Sequence, residues 1–143
     1  MPPANPTARV APSLRFAIVE LRRLRGHERI RPSLLKQLTE QIRQDGVLKR
    51  PILVADGDWV ILDGHHRAAA LRSLGLRRIT VYLVAYESDA VSVGTWPDAV
   101  VSVVSKAEVL RRGRERDLFP PKTTRHTLSV PLENRPTSLD ALR

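Results

Sequence analysis

Trp59-Val60-Ile61-Leu62-Asp63-Gly64-His65-His66-Arg67-Ala68-Ala69-Ala70-Leu71 is the stretch from which the rest of the chain is read. Its apolar start has the composition of a strand and its alanine-rich end that of a helix, so residues 63–67 sit where one passes into the other. The first N–H groups of a helix lack intrahelical acceptors, and the helix dipole is positive there, so the junction favours an anion. Gly64 lets the backbone approach closely, His65, His66 and Arg67 can donate to phosphate oxygens, and Asp63 can hold a divalent cation. The run reads as a phosphate grip. Taken alone, a tight turn before a solvated helix start has the same composition.

Working upstream, Pro51-Ile52-Leu53-Val54 is a strand, and Asp56-Gly57 is a hairpin turn into residues 59–62. Residues 14–21 alternate loosely as a first strand. Pro32-Ser33 opens a helix with Ser33 as N-cap; Leu34, Leu35, Leu38 and Ile42 follow at helical spacing, Gly46 is the stop, and Val47 leads into a strand. Downstream, Ala68, Leu71 and Leu74 mark a short helix ending at Gly75, residues 79–86 form a strand, and Val91-Ser92-Val93 and residues 100–104 are apolar enough for two more. Ser105-Lys106-Ala107-Glu108 matches a capping box, with Gly113 closing that helix. Residues 117–126 have neither helical nor strand period. Residues 1–13 read as a flexible tail and 131–143 as a loosely attached one, which leaves a single domain over 14–130.

At 143 residues the chain has room for one modest core. Cysteine is absent, which excludes disulfides, thiolate metal sites and thiol nucleophiles. No apolar run approaches the roughly 20 residues of a membrane span, and the proline-rich start lacks the apolar region of a signal peptide. The expectation is a cytoplasmic protein without a membrane partner. Net charge is +9, but the arginines are scattered from Arg9 to Arg143, so the excess reads either as a solvated basic surface or as a polyanion-binding face.

All four histidines lie in polar segments: His27 beside Glu28, His65 and His66 in the opening stretch, and His126 at the end of Lys122-Thr123-Thr124-Arg125-His126. Polar loops collect histidine without function; the sharper reading is that these loops converge on one anion-binding cleft. Glu28 is either a surface carboxylate or, near a phosphate site, a base for an attacking hydroxyl. The 122–126 run offers cations, hydroxyls and an imidazole to a carboxylate or phosphate ligand, or is a basic linker. Trp96 is core filler or a pocket wall, and Trp59 reads as core. A zinc site from the histidines is weakly supported, because the adjacent His65 and His66 do not easily share one ion.

The order of these features, from the first strand through Gly46-Val47-Leu48, Pro51-Ile52-Leu53-Val54, Asp63-Gly64-His65-His66-Arg67, Ala70-Leu71 and Gly75, resembles the ParB/sulfiredoxin fold, an α/β (α+β) mixed sheet flanked by short helices. The lack of cysteine argues against sulfiredoxin chemistry. With the His27-Glu28 pair, Val93-Gly94-Thr95-Trp96 and Pro120-Pro121-Lys122-Thr123-Thr124-Arg125-His126, the chain looks like the free L-serine kinases of this fold. That resemblance implies phosphoryl transfer from ADP or ATP to free serine, giving O-phospho-L-serine for amino-acid biosynthesis; the residues themselves leave serine and a close analogue such as threonine both open as acceptor. It implies Glu28 as general base and Asp63 serving Mg²⁺ and the reacting phosphates. Gly64, His65, His66 and Arg67 would hold the donor phosphates, and Trp96 with Lys122, Thr123, Thr124, Arg125 and His126 would enclose the amino acid, Arg125 or Lys122 facing its carboxylate. The alternative is a ParB-like nucleotide- and DNA-binding module, supported by the charge and the fold. A metal-dependent nuclease is weaker, since only Asp63 and Glu28 stand out as carboxylates.

Overall fold

The computed structural model describes residues 14–143; the stretch 1–13, read as a flexible tail, lies outside the described residues. The chain runs β1 (Leu14–Glu20), α1 (Pro32–Asp45), β2 (Val47–Leu48), β3 (Ile52–Ala55), β4 (Ile61–Asp63), α2 (His65–Ser73), β5 (Arg78–Val84), β6 (Val91–Thr95), α3 (Lys106–Glu115), β7 (Thr124–Leu128) and β8 (Thr137–Ser138). A four-stranded mixed sheet has the order β1-β5-β3-β4. In it β3 runs parallel to β5, with Ile52 opposite Val81, and β1 and β4 are antiparallel to their neighbours. The apolar runs of β3 and β5 are continuous because both faces of this sheet are covered. Ile52, Val54, Ile61, Ile79, Val81 and Leu83 pack toward α1 and α2, meeting Ile42, Ala68 and Leu71. The alternate residues Leu53, Ala55, Leu62, Tyr82 and Val84 pack on the other face with Val91 of β6 and Val109 of α3.

Several boundaries differ from the sequence reading. Helix α1 is capped at Arg31 with no side-chain bond, and Pro32 is its first residue, where a missing N–H is harmless; Ser33 is therefore inside the helix. Residues 100–104 form no strand: Val100 and Val103 are largely exposed. Ser105 does cap α3, accepting from Glu108 N at 3.1 Å, but the Glu108 carboxylate turns to Arg111 and Arg112 instead of closing a capping box. Gly113 does not end α3. It lies inside the helix, where a Cβ would come within 2.6 Å of Val60, and Arg116, in the left-handed region at φ 55°, is the cap. The run read as aperiodic, 117–126, holds the start of β7, which pairs antiparallel with β6, His126 opposite Val93.

The last residues are docked rather than loose. Strand β8 pairs with β2, Leu142 is fully buried in the core between sheet and helices, and Arg77 N donates to its carbonyl at 3.1 Å. Trp59 is only half core: its φ is 61° and the Arg23 guanidinium covers its ring at 4.2 Å.

Candidate active site

The β4–α2 junction can be built only with glycine. Gly64 has φ +113°, and a Cβ on it would lie 2.3 Å from Ile52 Cγ2. No side chain caps α2, so the N–H groups of its first turn point outward without an acceptor. Asp63, at the end of β4, keeps a 60 % exposed side chain whose partner is Arg67 at 3.3 Å. Arg67 is more occupied than a phosphate ligand needs to be: Nη1 donates to the carbonyls of Arg50 (3.0 Å) and Pro51 (2.9 Å). The two histidines of the junction act as acceptors. His65 Nε2 receives the backbone N–H of His27 at 3.1 Å, and His66 Nε2 that of Arg31 at 2.9 Å. Each neutral ring therefore carries its proton on Nδ1. Both imidazoles fasten α2 to residues 27–31, leaving an anion the backbone N–H groups and the Nδ1–H donors.

Residues 25–29 are held by two isolated parallel bridges, Arg25 with Val60 and Glu28 with Phe119. Arg25 bridges the residues on either side of Val60, its N–H donating to Trp59 O and its carbonyl accepting from Ile61 N, both 2.8 Å; Phe119 N to His27 O and Arg29 N to Phe119 O, also 2.8 Å, tie the other side. This fixes Glu28 against the start of β7. Its Oε1 accepts from Thr123 N (3.1 Å), Thr124 N (2.6 Å) and Thr124 Oγ1 (2.8 Å), while Oε2 has no hydrogen bond among the described residues. His27 is wholly buried behind it, with Nδ1 2.7 Å from Ile61 O and Nε2 2.7 Å from Thr124 Oγ1.

The facing wall comes from β6, β7 and the turn before β7. Trp96 Nε1 donates to Thr124 O at 3.0 Å, and the Arg125 guanidinium lies 4.7 Å over its ring. His126 Nε2 meets Tyr86 Oη at 2.7 Å. Lys122 sits in the left-handed region at φ 58°. Lys122 and Arg125 pair with no carboxylate among the described residues.

These parts surround one cleft of about 430 Å³, lined by Glu28, Asp63, Gly64, His65, His66, Arg67, Trp96, Lys122, Thr124, Arg125 and His126, with Leu34, Leu38 and Leu62 as its apolar floor. Thr123, expected beside them, is off the wall: it is buried, and its hydroxyl donates to Pro120 O at 2.7 Å. Sequence reasoning placed His27 among the converging histidines without giving it a role, and passed over Tyr86, Leu34 and Leu38. Only His27 carried a hint, its adjacency to Glu28.

Burial dominates the electrostatics. It lowers His27 to about 4 and His126 to about 3, and takes His65 well below the usual imidazole range; His66 is lowered too, first by burial and then by Lys122. All four rings are neutral at pH 7. The uncompensated positive charge of the cleft thus comes from Lys122, Arg125 and the α2 N-terminus. No three His, Asp or Glu side chains among the described residues could enclose a metal ion by themselves. Asp63 fits a different arrangement, one exposed carboxylate sharing Mg²⁺ with substrate phosphates.

Residues 7–94 match the ParB N-terminal domain family, and the chain belongs to that family. An ATP-dependent L-serine kinase of Staphylothermus marinus is 33% identical over 93 residues, covering 62% of this chain and 37% of the relative. An ADP-dependent L-serine kinase of Thermococcus kodakarensis is 33% identical over 85 residues, covering 57% of this chain and 35% of the relative. The chain thus spans less than two fifths of the length of either. A free serine kinase solved in complex with AMP superposes with a TM-score of 0.82 over 90% of this chain and 93% of that one, at 19% identity, which establishes the shared fold. The mixed α/β architecture expected from the sequence is the one observed.

Proposed function

We propose that this chain transfers a phosphoryl group from ADP or ATP to the hydroxyl of free L-serine, giving O-phospho-L-serine. The carrying observation is that Glu28, held by three donors on Oε1 with Oε2 unengaged, lines the same cleft as the open N-terminus of α2. The partial likeness to L-serine kinases using either donor supports the reading and keeps both nucleotides open.

In this reading the donor phosphates lie on the first-turn N–H groups of α2, with the Nδ1–H groups of His65 and His66 beside them. Lys122 and Arg125 balance the charge of the phosphates and the serine carboxylate, and the Trp96 ring closes the acceptor side. Asp63 would hold Mg²⁺, which neutralises phosphate charge when bound. Glu28 takes the serine hydroxyl proton as the new O–P bond forms and the bond to the departing nucleotide breaks. Fixed donors and charges do most of the work in such a reaction. Arg67 supports the junction from behind.

Glu28→Gln keeps the shape and the Oε1 contacts but removes the base. It should lower the rate of phosphoserine formation at least about 100-fold, with nucleotide affinity by calorimetry within about threefold. Unchanged turnover in this variant removes Glu28 from the mechanism.

A further inference from the structure

The buried triad His27, Thr124 and Glu28 contains one hydroxyl proton and two acceptors for it. The Ile61 carbonyl can only accept, so at 2.7 Å it fixes the proton of His27 on Nδ1. Nε2 is then a bare acceptor, fully buried, 2.7 Å from Thr124 Oγ1. The same oxygen stands 2.8 Å from Glu28 Oε1. Two short contacts need two protons, and Thr124 supplies one. The neutral state of His27 agrees with its surroundings: it is buried, the rings of His65, His126 and Phe119 lie 4.6, 5.9 and 6.4 Å away, and the Arg112 cation adds to the effect of burial.

Resting on the reading of Glu28 as the base, we infer that His27, acting through the Thr124 hydroxyl, is a positioning residue that readies Glu28 to accept the substrate proton. While Glu28 is ionised, carboxylate and imidazole compete for the hydroxyl, and one contact stays unfilled. When Glu28 takes a proton on its cleft-facing oxygen, Oε1 becomes a weaker acceptor that keeps two backbone N–H bonds. The hydroxyl is then released to His27, and the buried nitrogen gains its partner. The O–H bond broken is that of the acceptor alcohol, the one formed is on Glu28, and Thr124 keeps its own proton throughout, only turning it.

The test is ¹⁵N NMR of the histidine rings together with steady-state kinetics. Glu28→Gln, whose neutral amide competes less for the hydroxyl, should move the His27 Nε2 resonance toward the hydrogen-bonded position. In Thr124→Val the same change should leave it unmoved. An Nε2 resonance indifferent to Glu28→Gln, or a shift that persists without the hydroxyl, overturns the inference. In turnover, Thr124→Val should lower kcat about tenfold, the effect of one hydrogen bond on a rate, with KM for serine within about twofold and recovery in Thr124→Ser. A rise in KM with kcat retained would assign Thr124 to serine binding and contradict the coupling. If no phosphoserine forms under any condition while the NMR coupling is present, the base reading fails and the link between His27 and Glu28 stands.

Discussion

Arg67 and Lys122 both line the cleft, yet their surroundings assign them different work. Arg67 fills the carbonyls of Arg50 and Pro51 and pairs with Asp63, whereas Lys122 pairs with no carboxylate among the described residues. Arg67→Ala should therefore cost about 2–3 kcal/mol of stability, the size of losing charge-assisted bonds to part-buried carbonyls. Lys122→Gln should leave the urea midpoint within error and weaken nucleotide or serine binding instead; equal midpoints for the two variants would refute the distinction. The residues were legible in the sequence and the bonds that hold them were not. Asp63-Gly64-His65-His66-Arg67 declared itself by composition at a strand–helix junction. That His65 and His66 accept backbone N–H groups from residues 27 and 31 depends on a loop more than thirty residues away, which no local pattern encodes. Thr123 shows the same limit, since a one-residue step along the chain turns it from the cleft into the core.

At the scale of elements, period and punctuation identified β1, β3, α2 and β5, whose apolar faces are set by their own sequences. They missed β7, which is polar in sequence because one side faces the cleft, and which becomes a strand by pairing with β6. They overread residues 100–104, where valines suggest a strand but Val100 and Val103 stand exposed and no pairing forms among the described residues. The C-terminal segment was invisible for a related reason: it is attached by partners far away in sequence, through the β2–β8 pairing, the bonds of Tyr82 to Glu133 O and Arg77 N to Leu142 O, and the burial of Leu142. Leu142→Ala should lower stability by about 2–5 kcal/mol, as for other leucines emptied from a packed core. A thermal-melt shift too small to resolve would mean that the segment is not part of the folded unit.

For the molecule as a whole, the cleft is maintained by keeping imidazoles neutral inside it. His27 and His126 are lowered by burial to about 4 and about 3, and His65 is also lowered, while unfolded histidine titrates near 6.5. Between these values the unfolded chain binds protons that the folded one refuses. Stability is thus fully present above about pH 6.5 and falls as pH drops toward 4. Urea unfolding should show a loss of at least about 2 kcal/mol between pH 7 and pH 5, above the range of ordinary carboxylates. A midpoint constant over that interval contradicts the buried, neutral assignment.

The proposed reaction needs one cleft that joins a phosphate-binding helix end to an alcohol acceptor held before Glu28. It is tested most directly by ³¹P NMR of the purified chain with L-serine, Mg²⁺ and either ADP or ATP. A phosphomonoester resonance matching authentic O-phospho-L-serine, growing with time and dependent on both serine and nucleotide, is the predicted result. Neither donor yielding that resonance, with nucleotide still bound to a folded chain, would contradict it.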